Sequence, residues 1–307
     1  MRTVFTALAM WLAAISTATA SAAQQPLKPF ILAWTEAGEP QAVAAAVAQR
    51  LGAAGFQVAG SYSPYPGATI LAVTDETLKA EAGRSPFGGY GAAQRVAVTR
   101  VGAETQVSYT NPRYMAAAYR MAGDLSAVAA RLEGALGRRQ EFGPDEGLPA
   151  DELRSYRYMF GMERFTDPNL LAEHPSHAKA LEVVERNLAA GASGVRKVYR
   201  IDIPGKDETV FGVAMTGKDG DEQRDDAYIM REIDFKPLRS TAHLPYELLV
   251  SDGKVYALSA RFRIAIDFPD LSMMGSNSFM SIMGAPDAIR AALSKVAGGD
   301  WTVLKAQ

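Results

Sequence analysis

Apolar residues recur along the chain with two periods, about 3.6 and 2, and the switches between them mark out two stretches with the same order of elements. In PQAVAAAVAQRLGAAGF, residues 40–56, Val43, Val47 and Leu51 fall at i, i+4 and i+8, one face of a helix that Gly55 closes. QVAGSYSPYPGATILAVTD then predicts two strands joined by a Pro-Gly turn. AAQRVAVTRVGAETQVSYTNP predicts a hairpin around Gly102, and DLSAVAARLEGALG a closing helix with Asp124 as its N-cap.

The order then repeats. HAKALEVVERNLAAG predicts a helix capped by Ser176 and ended by Gly191, and VRKVYRIDIPGKDETVFGVAMTG predicts two strands around a second Pro-Gly turn. HLPYELLVSDGKVYALSARFRIAIDF predicts a hairpin turning at Asp252-Gly253. Its second strand, by alternation, carries Tyr256, Leu258, Phe262, Ile264 and Ile266 on one face and Arg261 and Arg263 on the other, near Lys254. PDAIRAALSKVAGG ends the series as a helix with Pro286 in its first turn.

Set side by side, VAQRLGAAGFQVAGSYSPYPGATILAVT matches VERNLAAGASGVRKVYRIDIPGKDETVFGVAMT, QVSYTNPRY matches YALSARFRI, and LSAVAARLEGALG matches DAIRAALSKVAGG. Two tandem α+β units follow, each with helices packed on an antiparallel sheet: residues 24–137 and a divergent 153–307. The boundary is the charged, Gly- and Pro-containing stretch 138–152. AAQRVAVTRVGAETQVSYTNPRYMAA, with its strand ending in SYTNP, and the preceding helix and AGFQVAGSY resemble the family called domain of unknown function 302 (DUF302) across most of residues 40–136. The second unit resembles it more loosely, with SARFR in place of SYTNP and added residues 216–242. The resemblance implies a compact, often self-associating α+β fold. That family has no established common activity, so the likeness carries architecture without chemistry.

Composition changes the picture at the N-terminus. Arg2, the short apolar run TVFTALAMWLAAI and the small residues Ala20-Ser21-Ala22 have the form of a cleavable secretory signal peptide over residues 1–23, which places the mature chain in the periplasm. No segment beyond it is long and apolar enough to span a membrane. The chain has no cysteine, which removes thiol nucleophiles, thiolate metal sites and disulfides. With 32 basic and 34 acidic residues it lacks the basic surface expected of a nucleic-acid binder.

Candidate chemistry is sparse. There is no GxSxG elbow or HExxH pair, and with 3 histidines few partners exist for a nucleophile, which argues against an enzyme. His174 and His177 in HPSH have a spacing compatible with a metal, but they sit in the polar start of a helix. KDGDEQRDD, Lys218–Asp226, lacks the glycine and glutamate of a calcium loop and reads as solvated. The densest feature is DLSMMGSNSFMSIMG, where Met273, Met274, Met280 and Met283 fall close together. Three readings stay open for them: core packing, the wall of an apolar pocket, or a thioether site for copper in which Met280 and Met283 share a helical face. The expectation carried forward is an exported, non-catalytic protein that binds a small apolar or amphipathic ligand. Met273, Met274, Phe279, Met280 and Met283 would line the pocket and Arg261 or Arg263 would meet an anionic head. A copper-handling protein, or an assembly factor meeting a periplasmic partner, are the alternatives.

Overall fold

A strand buried on both faces needs an apolar run rather than alternation. FILAWTEA supplies one: Phe30, Ile31, Leu32 and Ala33 are all buried in β1 (Phe30–Ala37). The computed structural model describes residues 25–217 and 221–300. The expected signal peptide and part of the Lys218–Asp226 loop lie outside those residues. After β1 come α1 (Pro40–Ala53), β2 (Gln57–Tyr62), β3 (Ala68–Thr74), α2 (Glu76–Gly83), the hairpin β4 (Gln94–Val101) and β5 (Glu104–Thr110), then α3 (Pro112–Ala118) and α4 (Ser126–Leu136). Val43, Val47 and Leu51 are buried in α1 as their spacing predicts, and Gly55 (φ 84°) ends it. β6 (Gln140–Phe142) and α5 (Ala150–Arg154) occupy the stretch read as a boundary.

The second half runs β7 (Asn169–Glu173), α6 (His177–Ala189), β8 (Val195–Asp202), β9 (Glu208–Met215), α7 (Asp226–Ile233), the hairpin β10 (Tyr246–Ser251) and β11 (Lys254–Ala257), α8 (Ala260–Asp267) and α9 (Ala285–Ala297). Ser176 Oγ accepts from Lys179 N at 3.2 Å and caps α6, and Gly191 adopts the left-handed conformation just past its end. All strand pairs are antiparallel. They form one sheet in the order β2-β3-β4-β5-β1-β6 and another in the order β8-β9-β10-β11-β7. Apart from β6 the two orders are the same. Each also carries a bulge at the equivalent point, between Val58 and Gly60 in β2 and between Lys197 and Tyr199 in β8.

Three expectations need correction. Residues 260–267 are a helix, not the continuation of a strand: β11 loses its partners at Ala257, and α8 is buried on nearly every side, Arg263 included. Asp124 is not the N-cap of α4; Leu125, in the left-handed region, stands there, and the Asp124 carboxylate accepts from Ser126 N at 2.9 Å and Ser126 Oγ at 2.7 Å. The stretch 138–152 is no free linker, because β6 pairs with the edge of β1 and Leu27 bridges to Leu148.

Each sheet turns one face to its own helices. Leu71, Val73, Val96, Val98 and Val107 pack with α1 and α4, while Phe211, Val213, Leu248 and Val250 pack with α6 and α9. The opposite faces meet each other. Arg95 Nη1 reaches Glu247 Oε1 at 2.9 Å, Thr99 Oγ1 donates to Thr241 Oγ1 at 2.9 Å, and Gly89 N donates to Glu208 Oε1 at 2.7 Å. The two bulged strands touch so closely that a Cβ at Gly60 would lie 2.1 Å from the Val198 carbonyl oxygen.

Candidate functional site

The α8 helix ends at Phe268, and the chain then folds a tight loop before α9. Phe279 N donates to Ser272 O at 2.9 Å and Met280 N to Met273 O at 3.2 Å, so the two ends of the loop lie side by side. Gly275 (φ 101°) makes the reversal that a side chain would resist, and Ser278 Oγ ties back to Gly275 O at 2.7 Å. This brings Met273 and Phe279 beside Phe268 and Leu271. Ile264, Ala265 and Arg261 of α8 form the floor, and Tyr158, Met159 and Met162, from the segment leading into the second sheet, form the far wall. The resulting groove encloses ≈ 340 Å³, within the range of small-molecule sites. Phe160 stands 97% exposed in the same segment.

The walls are apolar except for the Tyr158 hydroxyl and the Arg261 guanidinium. Arg261 is half-buried, with Nη1 3.2 Å from Glu163 Oε1 and Nη2 3.9 Å from Asp287 Oδ1, so its charge is matched at the rim. Two of the five residues expected to line a pocket, Met273 and Phe279, do so. Met274, Met280 and Met283 are exposed and outside the lining. Core packing, one of the three readings of these methionines, fails for all four, since even Met273 is 38% exposed. Tyr158, Met159 and Met162 were not legible from periodicity. SYRYMFGMERF alternates in neither period, and the only signal was its density of aromatic and thioether side chains in a connecting segment.

Arg263 cannot meet a ligand. It is 1% exposed between the two sheets, where Nη1 lies 3.1 Å from Glu247 Oε2 and 2.5 Å from the Tyr119 hydroxyl, and Nη2 donates to His243 O at 2.5 Å. Glu247 also takes Arg95, and Asp267 completes the set through His243, whose Nδ1 is 2.6 Å from Asp267 Oδ2. Burial lowers the His243 pKa to about 4, against the pull of Asp267, so the imidazole is neutral. For Asp267, burial acts to raise the pKa, but the His243 hydrogen bond and the Arg263 and Arg95 charges outweigh it and hold the carboxyl low. Two guanidiniums and two carboxylates therefore balance in a site that water does not reach. This is an internal fastening of the two halves rather than a place for chemistry.

The three histidines do not converge. His174 Nε2 bonds Ala297 O at 2.8 Å, His177 Nε2 lies 3.3 Å from Thr209 Oγ1, and His243 is enclosed by Asp267 and Tyr246. Among the described residues no group of three or more His, Asp or Glu side chains is placed to hold a metal ion, and no helix is long and apolar enough to cross a membrane. Comparison of the chain with protein-family models, with curated proteins and with solved structures gives no match.

Proposed function

We propose that the protein is an exported, non-catalytic binder of a small apolar or amphipathic molecule, held in the groove between α8, the loop 268–279 and the segment 158–162. The observation that carries this reading is a concave surface of ≈ 340 Å³ whose walls are aromatic, aliphatic and thioether groups, with one guanidinium at the rim. Methionine suits such a wall because its unbranched, polarisable side chain adapts to ligands of different outline. Arg261 would meet an anionic head, at the cost of its pairing with Glu163. Export rests on the N-terminal pattern, and a place in the DUF302 family rests on the resemblance of residues 40–136.

Titration of the full chain with a medium-chain alcohol and the corresponding carboxylic acid tests the proposal. Both bind the wild type. Met159→Ser with Met273→Ser removes both, and Arg261→Gln weakens the acid alone. Wild-type affinity in the double serine variant would refute the assignment.

One observation favours a second reading. Met159, Met162 and Met273 all line the same groove, which gathers three thioethers, the ligand type suited to Cu(I). A copper carrier would show metal-edge absorption with sulfur neighbours and loss of the metal in the serine variant, with no dependence on Arg261.

A further inference from the structure

Away from the methionine groove the two halves enclose another recess, of ≈ 540 Å³. One wall comes from the first sheet: Tyr65 and Pro66 in the β2–β3 turn, and Thr99 and Arg100 in β4. The other comes from α7 and the loop after it, with Met230, Arg231, Asp234, Phe235 and Arg239. Its floor is a hydrogen-bonded chain between the halves. The Tyr65 hydroxyl lies 3.0 Å from Thr241 Oγ1, Thr99 Oγ1 donates to that same oxygen at 2.9 Å, and Thr241 Oγ1 donates to Asp234 Oδ2 at 3.3 Å.

Three arginines face this space, and their charges are not equally spent. Arg100 pairs with Glu39 at 2.8 Å, and Arg231 with Glu232 at 3.4 Å while covering the Tyr228 ring. Arg239 is held in place by its own backbone, whose N–H donates to Gln106 Oε1 at 3.1 Å, and by one bond from Nη1 to the Asp234 carbonyl oxygen. Among the described residues no carboxylate oxygen lies within 4.0 Å of its guanidinium nitrogens. The carboxylate in the lining, Asp234, is buried, and its two oxygens already accept from Ser240 N and Thr241 Oγ1. Burial raises its pKa to about 7, so near neutrality much of it carries no charge to oppose an anion. The contrast with Arg261, matched by Glu163 and Asp287, is direct: here a half-buried guanidinium is fixed in a concave site with its outward donors uncommitted. A low-dielectric concavity strengthens the field of such a cation. Pro66 and the 47% exposed Phe235 ring supply apolar surface beside it.

We propose that this recess is an anion site, taking a small organic anion whose carboxylate or phosphate is bound by Arg239 between Arg100 and Arg231, with its apolar body against Phe235 and Pro66. A planar fork of donors suits both oxyanions, and the apolar flank selects an anion carried on a ring or short chain over the bare ion.

The test is calorimetric titration of the full chain with phenyl phosphate, inorganic phosphate and benzyl alcohol. Phenyl phosphate binds most tightly, since each of the others lacks one half of the recognition. Arg239→Gln weakens it by about tenfold or more, the worth of a hydrogen bond to a charged group. Arg231→Gln weakens it severalfold; that side chain is 66% exposed, so the variant folds whatever the fate of Arg239→Gln. Arg186→Gln, on the exposed side of α6 and in neither recess, leaves it unchanged. The proposal is overturned if phenyl phosphate shows no saturable binding to the folded wild type, if both Arg231→Gln and Arg239→Gln retain wild-type affinity, or if Arg186→Gln loses as much as they do.

Discussion

Glu247→Gln is the sharpest probe of how the two halves are joined. The Glu247 side chain is 3% exposed and each of its oxygens serves a different guanidinium, Arg95 at 2.9 Å and Arg263 at 3.1 Å. Glutamine keeps the shape and one acceptor but removes the charge, leaving two buried cations facing Asp267 alone. Breaking a buried pair by removing one partner costs about 3–5 kcal/mol, because the stranded charge cannot return to water. For a chain of this size that corresponds to a drop in Tm of roughly 6–20 °C. Urea unfolding, followed by both tryptophan fluorescence and far-ultraviolet circular dichroism, measures the loss and shows whether the halves unfold together. Arg95→Gln in the same background restores the charge balance, so the double variant loses less than the sum of the two single changes. A Glu247→Gln protein within about 0.5 kcal/mol of wild type, the range of an ordinary surface change, would refute the reasoning.

Burial raises Asp226 to about 8 and Asp234 to about 7, so each favours the folded state below its unfolded value and that contribution is lost as pH rises toward 8. His243, lowered to about 4, works oppositely, and its loss is confined to pH below about 6.5, the unfolded value. Between about pH 6.5 and 8 the urea midpoint therefore falls with rising pH, and Asp226→Asn flattens that fall; an unchanged slope in the variant would contradict the assignment. Gly60→Ala sets a methyl 2.1 Å from the Val198 carbonyl oxygen and costs about 1–3 kcal/mol as overpacking, read by the same unfolding assay. Ser176→Ala removes the cap bond to Lys179 N and costs about 1 kcal/mol, seen as faster amide exchange in the first turn of α6.

Elements with a periodic apolar face or a marked turn were legible. α1, α6 and α9 and the hairpins β4–β5 and β8–β9 fall where spacing and turn residues put them, with Gly55, Gly191 and Pro286 as their punctuation. Two elements with neither signal were not. β1 alternates with nothing, and α8 combines Phe262, Arg263, Ile264 and Ile266 in a run that fits a strand as well as a helix. That error set Arg263 on an open sheet face; its partner Glu247 lies in the same stretch of chain, but Tyr119 comes from the first half, which no local pattern can pair with it. The internal match offered a clue: QVSYTNPRY, set against YALSARFRI, turns into α3 at Pro112, as the second unit turns into α8 at Ala260. The methionine loop stood out in the sequence with core packing, pocket wall and copper site all open as readings, and of the five residues expected to line a pocket only Met273 and Phe279 line the groove. The opposing wall comes from a non-periodic segment more than a hundred residues earlier.

The most direct test of ligand binding in that groove is methyl NMR of the full chain labelled at the methionine ε-carbons, titrated with a medium-chain alcohol. Ligand in the groove gives saturable shifts of the Met159, Met162 and Met273 methyls with one common affinity, while the buried Met115 and Met121 stay fixed. Shifts absent from those three, or spread evenly over every exposed methionine, would contradict it.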